Sequence, residues 1–216
     1  MTAGPRLAAG SIAPHGLRYL ALGDSYTIGE GVAADGRWPM QLARGLRTDG
    51  IGLDDPKIIA TTGWTTDALQ AAIDDASPAP GFDLVTLLIG VNNQYRGWPL
   101  DDYLQQFQAL LARAIALAAG RPQRVIALSI PDWGVTPFAA GSGRDIKQIA
   151  DEIDAFNRDA RIACGRRDVA FIDITPVSRQ RGAEPSMLVD DGLHPSAAMY
   201  ALWTALAHPA ARNALA

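Results

Sequence analysis

The chain has 216 residues, 48% hydrophobic and 19% charged, with a formal net charge of −4. That length and composition suit a globular domain able to bury its own core, and exclude a disordered segment. The acidic balance and the lack of a basic run exclude the electrostatic footprint of a nucleic-acid binder, and a lone cysteine, Cys164, excludes an internal disulfide or a zinc site of several cysteines.

Residues 1–16 read as a loose lead-in, broken by Pro5, Gly10, Pro14 and Gly16. Its apolar part is too short for a secretory core region. No run approaches the ~18 apolar residues of a membrane span. A cytoplasmic location is the expectation, with the oligomeric state left open.

The first strand is expected over about 17–22, an apolar run that breaks at Gly23 into Asp24-Ser25-Tyr26-Thr27. A glycine-rich loop follows. Trp38-Pro39 then opens a helix, with proline at a tolerated first-turn position, and Gly50 ends it. The β-branched stretch 56–62 reads as strand two and stops at Gly63. Thr66 caps a helix to about Ala76. The run Phe82 to Ile89 is apolar on both faces, as a central parallel strand should be, and it ends at Gly90. After a polar loop, Leu104, Phe107, Leu111 and Ile115 mark a helix over about 99–119. Strand four spans about 124–130. Ile146, Ile149, Ile153 and Phe156 mark the next helix, which leads to strand five at 169–172. The last helix starts at Pro195 and is expected to end near His208-Pro209. Cys164 is expected to be a buried, neutral thiol.

Alternating strands and helices make a parallel sheet covered on both faces. Right-handed crossovers then favour a flavodoxin-like three-layer α/β sandwich, a five-stranded parallel sheet of order 2-1-3-4-5. No repeat or linker divides the chain, so 1–216 reads as a single domain.

In such a sheet the carboxyl ends of the strands share one edge, where ligands bind. Ser25, Gly63 and Asn92 each lie just beyond a strand and should converge there. Near the last helix stands Asp190-Asp191-Gly192-Leu193-His194-Pro195. Three-residue spacing can bring the Asp191 carboxylate onto His194 Nδ1–H, leaving the other ring nitrogen to take a proton from Ser25. The same two residues also suit plain helix capping. Donors for a developing oxyanion are the Ser25 N–H, the Gly63 N–H and the Asn92 amide. A strand-ending glycine and a turn asparagine are the ordinary roles for the latter two. His15 lies in the lead-in, and His208 has alanine, not an acid, three residues before it. Trp64, Tyr95, Trp98, Trp133 and Phe138 are candidates to line a pocket, and Arg37 and Arg96 candidates to meet an anionic leaving group. Gly29-Glu30-Gly31-Val32-Ala33-Ala34 fits a dinucleotide fingerprint in letters, but it does not directly follow the strand or open a helix.

These blocks resemble the SGNH hydrolases, also called GDSL esterases and lipases. Gly23-Asp24-Ser25-Tyr26-Thr27 with Gly29 and Gly31 looks like the first block of that family. Gly63 is similar to the second, Gly90-Val91-Asn92-Asn93 to the third and Asp191-Gly192-Leu193-His194-Pro195 to the fifth, in the family's order over 17–196. Asn93 departs from the pattern, where aspartate is usual and is thought to support the loop. The resemblance implies Ser25 as nucleophile, His194 as base and then acid, and Asp191 as its orienter. It implies an oxyanion hole of Ser25, Gly63 and Asn92, with no metal and no cofactor. The expected activity is hydrolysis of small carboxylic esters, weakly inclined to short acyl groups. A thioesterase or lysophospholipase and a carbohydrate O-acetyl esterase remain alternatives within the family. A catalytically silent binding module is the non-enzyme alternative.

Overall fold

The computed structural model describes residues 16–216; the expectations for the lead-in and His15 fall outside the described residues. The sheet holds β1 (Tyr19–Gly23), β2 (Lys57–Ala60), β3 (Leu84–Leu88), β4 (Val125–Leu128) and β5 (Ala170–Ile172). All neighbours pair in parallel, in the order β2-β1-β3-β4-β5. β1 and β3 are buried at every position, because helices cover both faces and leave no side for polar alternation.

Nine α-helices connect and flank the strands among the described residues: α1 (Ser25–Ile28), α2 (Trp38–Thr48), α3 (Thr66–Ala76), α4 (Val91–Tyr95), α5 (Leu100–Leu117), α6 (Pro137–Gly141), α7 (Ile146–Gly165), α8 (Thr175–Arg181) and α9 (Ala197–Leu215). α2 packs on α9 on one side of the sheet, and α3, α5 and α7 pack in sequence on the other. The core joins these layers through Leu20, Leu22, Trp38, Leu87, Phe107, Ile126, Ile153 and Trp203, all buried. Among the described residues no helix is long and apolar enough to cross a membrane.

The expected order and layers hold; the differences are local. α3 is capped from Thr65, one residue earlier than expected. The loops after β1, β3 and β4 each carry a short helix, too brief for periodicity to reveal. α9 does not end near His208 but runs through Pro209 to Leu215. Proline removes one donor to the carbonyl four residues back. Pro209 lies on the exposed face, where water can meet that carbonyl, while Ala207, Ala211 and Ala214 keep the opposite face buried. His208 is therefore within a helix, with Nε2 3.5 Å from Asp49 Oδ2. Cys164 is buried, and burial pushes its thiol up to about 12.

Candidate active site

Ser25 is delivered by a strand–turn–helix. β1 ends at Gly23, and Asp24 caps α1 by accepting the Tyr26 N–H at 3.1 Å on Oδ1. Ser25 opens the helix, so its own N–H has no intrahelical acceptor. Asp24 is fully buried, and its Oδ2 has no hydrogen-bond partner. Burial pushes its carboxyl up to about 7, against the lowering effect of the Tyr26 N–H.

The second wall is the β2–α3 loop. Gly63 has φ +83, a left-handed conformation that a side chain would strain. None of the backbone hydrogen bonds among the described residues uses its N–H. This loop is fastened by α4 at three points. Arg96, just past α4, donates from Nη2 to Gly63 O at 2.7 Å. Asn92 Nδ2 donates to Trp64 O at 3.0 Å, leaving its second amide hydrogen free to face a ligand. Asn93, fully buried, accepts the Thr66 N–H at 3.1 Å and donates to Thr66 Oγ1 at 2.7 Å. Thr66 Oγ1 in turn donates to Gln106 Oε1. Asn93 thus secures the loop. Where a carboxylate could only accept, its amide donates to the threonine oxygen and leaves that hydroxyl proton for Gln106. α4 itself is set by Gly90, at φ +125, where an added Cβ would lie 2.5 Å from the buried Tyr103 ring.

The third wall is the loop before α9. It closes on itself, with Val189 N–H donating to His194 O at 2.9 Å and Ser196 N–H to Met187 O at 2.9 Å. Within it Asp191 Oδ1 accepts the N–H groups of Leu193 (2.8 Å) and His194 (2.9 Å). Its Oδ2 lies 2.6 Å from His194 Nδ1. Burial alone would raise the Asp191 carboxyl; hydrogen bonds from the His194 ring and the two backbone N–H groups overcome it and hold it below the usual range. Asp190 is exposed and takes no part in these bonds. The Tyr26 ring packs against the His194 ring, with centroids 5.7 Å apart. Burial and then the Asp24, Asp191 and Asp132 carboxylates push the Tyr26 phenol upward, so it stays neutral.

Ser25, Gly63, Asn92 and His194 line one cavity of about 200 Å³. Thr62 lines it as well, and Tyr26, Val91, Tyr95, Trp133, Phe138 and Leu193 make most of the lining apolar. Among the described residues His194 makes its side-chain hydrogen bond to Asp191 and none to Ser25 Oγ. Of the five aromatic candidates, Tyr95, Trp133 and Phe138 line the cavity. Trp64 and Trp98 do not; Trp64 packs partly buried against the core. Arg96 reaches the site through the Gly63 carbonyl, while Arg37 packs over Gly29 away from the cavity. Tyr26, Val91 and Leu193 also line the cavity, and their places in the chain beside Ser25, Asn92 and His194 are the signal for that. Among the described residues no group of three or more His, Cys, Asp or Glu side chains could hold a metal ion.

The sheet order and its edge cleft define the class, an α/β fold of the SGNH hydrolase kind. Solved structures agree on that fold. The chain is 21% identical to TesA, covering 92% of this chain and 99% of that one, with a TM-score of 0.68. It is 18% identical to Axe2, an acetylxylan esterase from Geobacillus stearothermophilus, over 91% and 94% of the two chains, with a TM-score of 0.69. It is 16% identical to the psychrotrophic esterase EstA from Pseudoalteromonas sp., over 92% and 93%, with a TM-score of 0.60. Comparison by sequence with curated proteins gives no match. The profile of the GDSL-like lipase/acylhydrolase family matches residues 21–202, and the chain belongs to that family of ester-hydrolysing enzymes.

Proposed function

We propose that the protein is a single-domain serine esterase acting on small carboxylic esters with short acyl groups. Ser25 is the nucleophile, His194 the base and then the acid, and Asp191 the group that orients it. The observation that carries this reading is the 2.6 Å contact of Asp191 Oδ2 with His194 Nδ1, beside a cavity that Ser25 shares. With Nδ1 holding its proton towards the carboxylate, Nε2 is left as the base. Ser25 Oγ attacks the carbonyl carbon and its proton passes to Nε2. The oxyanion of the tetrahedral intermediate meets the Ser25 N–H, the Gly63 N–H and the free Asn92 amide hydrogen. The C–O bond to the alcohol breaks as Nε2 returns the proton to the leaving oxygen. Water then attacks the acyl-enzyme, gives a proton to Nε2, and the acid departs as Ser25 recovers its hydrogen. Ester and water suffice as reactants. The largely apolar lining of the cavity and its limited volume support the short-acyl preference.

The test is a fluorophosphonate probe together with p-nitrophenyl butyrate. Labelling and turnover by the wild type, both lost in a folded Ser25→Ala variant, are expected. Folded wild type that neither labels nor turns over esters would point to a binding module. Strong preference for acetylated sugars or thioesters would replace the substrate class and leave the residue roles standing.

A further inference from the structure

Three of the rings that line the cavity pack against one another. Tyr95 meets Trp133 at 5.3 Å between centroids, Phe138 meets Trp133 at 6.1 Å, and Tyr95 meets Phe138 at 6.3 Å. The rings differ in how firmly they are held. Trp133 is 2% exposed. Its Nε1 donates to Gln94 Oε1 at 2.7 Å, and Gln94 Nε2 donates to Glu152 Oε2 at 2.7 Å. Arg144 joins the same carboxylate at 2.8 Å and lies over the Trp133 ring at 5.4 Å. Tyr95 and Phe138 are 45% and 36% exposed. Their rings make no comparable side-chain hydrogen bonds.

The same two rings also line a second, open cavity of about 640 Å³, completed by Pro137, Gly141, Ser142 and Arg144. Tyr95 and Phe138 are the residues common to both cavities. The candidate reaction site and this larger space therefore adjoin at these two side chains. Phe138 sits on the short α6, whose backbone is tied to the His194 loop by Phe138 N–H to Gly192 O at 3.1 Å. Removing its ring leaves that bond intact.

We propose that Phe138, with Tyr95, is a partition that sets acyl-chain length: the chain stops at the rings, and the second cavity is the path a longer chain takes when the partition is removed. This inference rests on the serine-esterase reading. At about 200 Å³ the site cavity is about a third the size of the second, at about 640 Å³, so an acyl group confined to it is a short one. The acyl group is the part assigned to this cavity. The acyl group stays bonded to Ser25 until water arrives, and a largely apolar lining suits the part that stays. Each methylene buried out of water is worth roughly a factor of four in binding, so the partition gives up a large gain for long chains.

The experiment measures kcat/KM for p-nitrophenyl esters from acetate to decanoate in the wild type, Phe138→Ala and Phe138→Leu. The wild type should be best near butyrate to hexanoate and fall about tenfold or more by decanoate. Phe138→Ala should raise the decanoate-to-butyrate ratio about tenfold or more. Phe138→Leu, which keeps an apolar side chain on α6, should shift it in the same direction by less, and it carries the test if the alanine variant fails to fold. An unchanged ratio in a folded variant that still labels with fluorophosphonate overturns the partition while leaving the esterase standing. A shift seen instead across acetate esters of lengthening alcohols also overturns it, since the rings would then bound the leaving group. Wild type that does not label at all fails the underlying reading instead.

Discussion

Replacing Asp191 by asparagine should be the most informative single change at this site. Two effects add. The first is loss of charge opposite the imidazolium that forms when His194 takes the Ser25 proton. At about 4 Å between charge centres, a pair is worth about 4 kcal/mol at an effective dielectric of ~20 and about 1 kcal/mol in water. The Asp191 side chain is 42% exposed and that of His194 12%, so the working value lies between, at about 2 to 3 kcal/mol. At 1.36 kcal/mol per decade that is roughly a hundredfold in kcat. The second effect is tautomeric. Oδ1 is already committed to the N–H groups of Leu193 and His194. In Asp191→Asn the amide nitrogen must therefore occupy the Oδ2 position and donate to Nδ1. The ring proton is then driven to Nε2, where a base is needed. We expect kcat to fall about 10³–10⁴-fold in total, with KM within about threefold, read from initial rates on p-nitrophenyl butyrate. Asp190→Asn, at an exposed neighbour, should leave both constants unchanged. If Asp191→Asn keeps kcat within tenfold of wild type, or if Asp190→Asn suffers the same loss, the reasoning is wrong.

Two further changes probe the supports of the site. Arg96→Gln breaks the charge-assisted bond to Gly63 O while the Asn92 and Asn93 ties remain. Kcat should fall about three- to tenfold, since such a bond is worth ~1.5–3 kcal/mol and only part of it is felt at the donors, with KM unchanged and partial rescue by Arg96→Lys. A rise in KM at constant kcat would show that Arg96 meets the substrate instead. Asp24→Asn keeps an acceptor for the Tyr26 N–H but removes the titration. The folded Asp24 carboxyl is raised from 3.8 to about 7, so the folded state holds a proton that the unfolded state has lost, and wild-type stability falls as pH rises between those values. At 1.36 kcal/mol per unit, the variant should gain up to about 4 kcal/mol relative to wild type from pH 4 to 8, levelling above 7. Guanidinium unfolding at several pH values measures it; parallel profiles for the two proteins would refute the argument.

Much of this architecture was readable along the chain because it depends on short-range signals. β1 and β3 are apolar without alternation, each followed by a polar break, and that pattern alone implies a parallel sheet with its ligand edge at those breaks. The Asp191–His194 contact closes within one tight loop, so three-residue spacing was enough to anticipate it. Asn93 shows the limit. Its departure from the family's usual residue was visible, but how it serves was not, because Thr66 lies 27 positions away and Gln106 on another helix. Arg96 looked like a group for an anionic leaving group and instead holds Gly63, 33 positions back. The Trp133–Gln94–Glu152 chain spans 58 positions at its longest step. Such pairs exist only after strand crossovers bring loop ends together, and each side chain's rotamer is chosen by neighbours from other elements. For the same reason periodicity could not sort Tyr95, Trp133 and Phe138 from Trp64 and Trp98. Hydrophobicity along the chain marks which rings leave water; the space between three separate loops selects the ones that face a ligand.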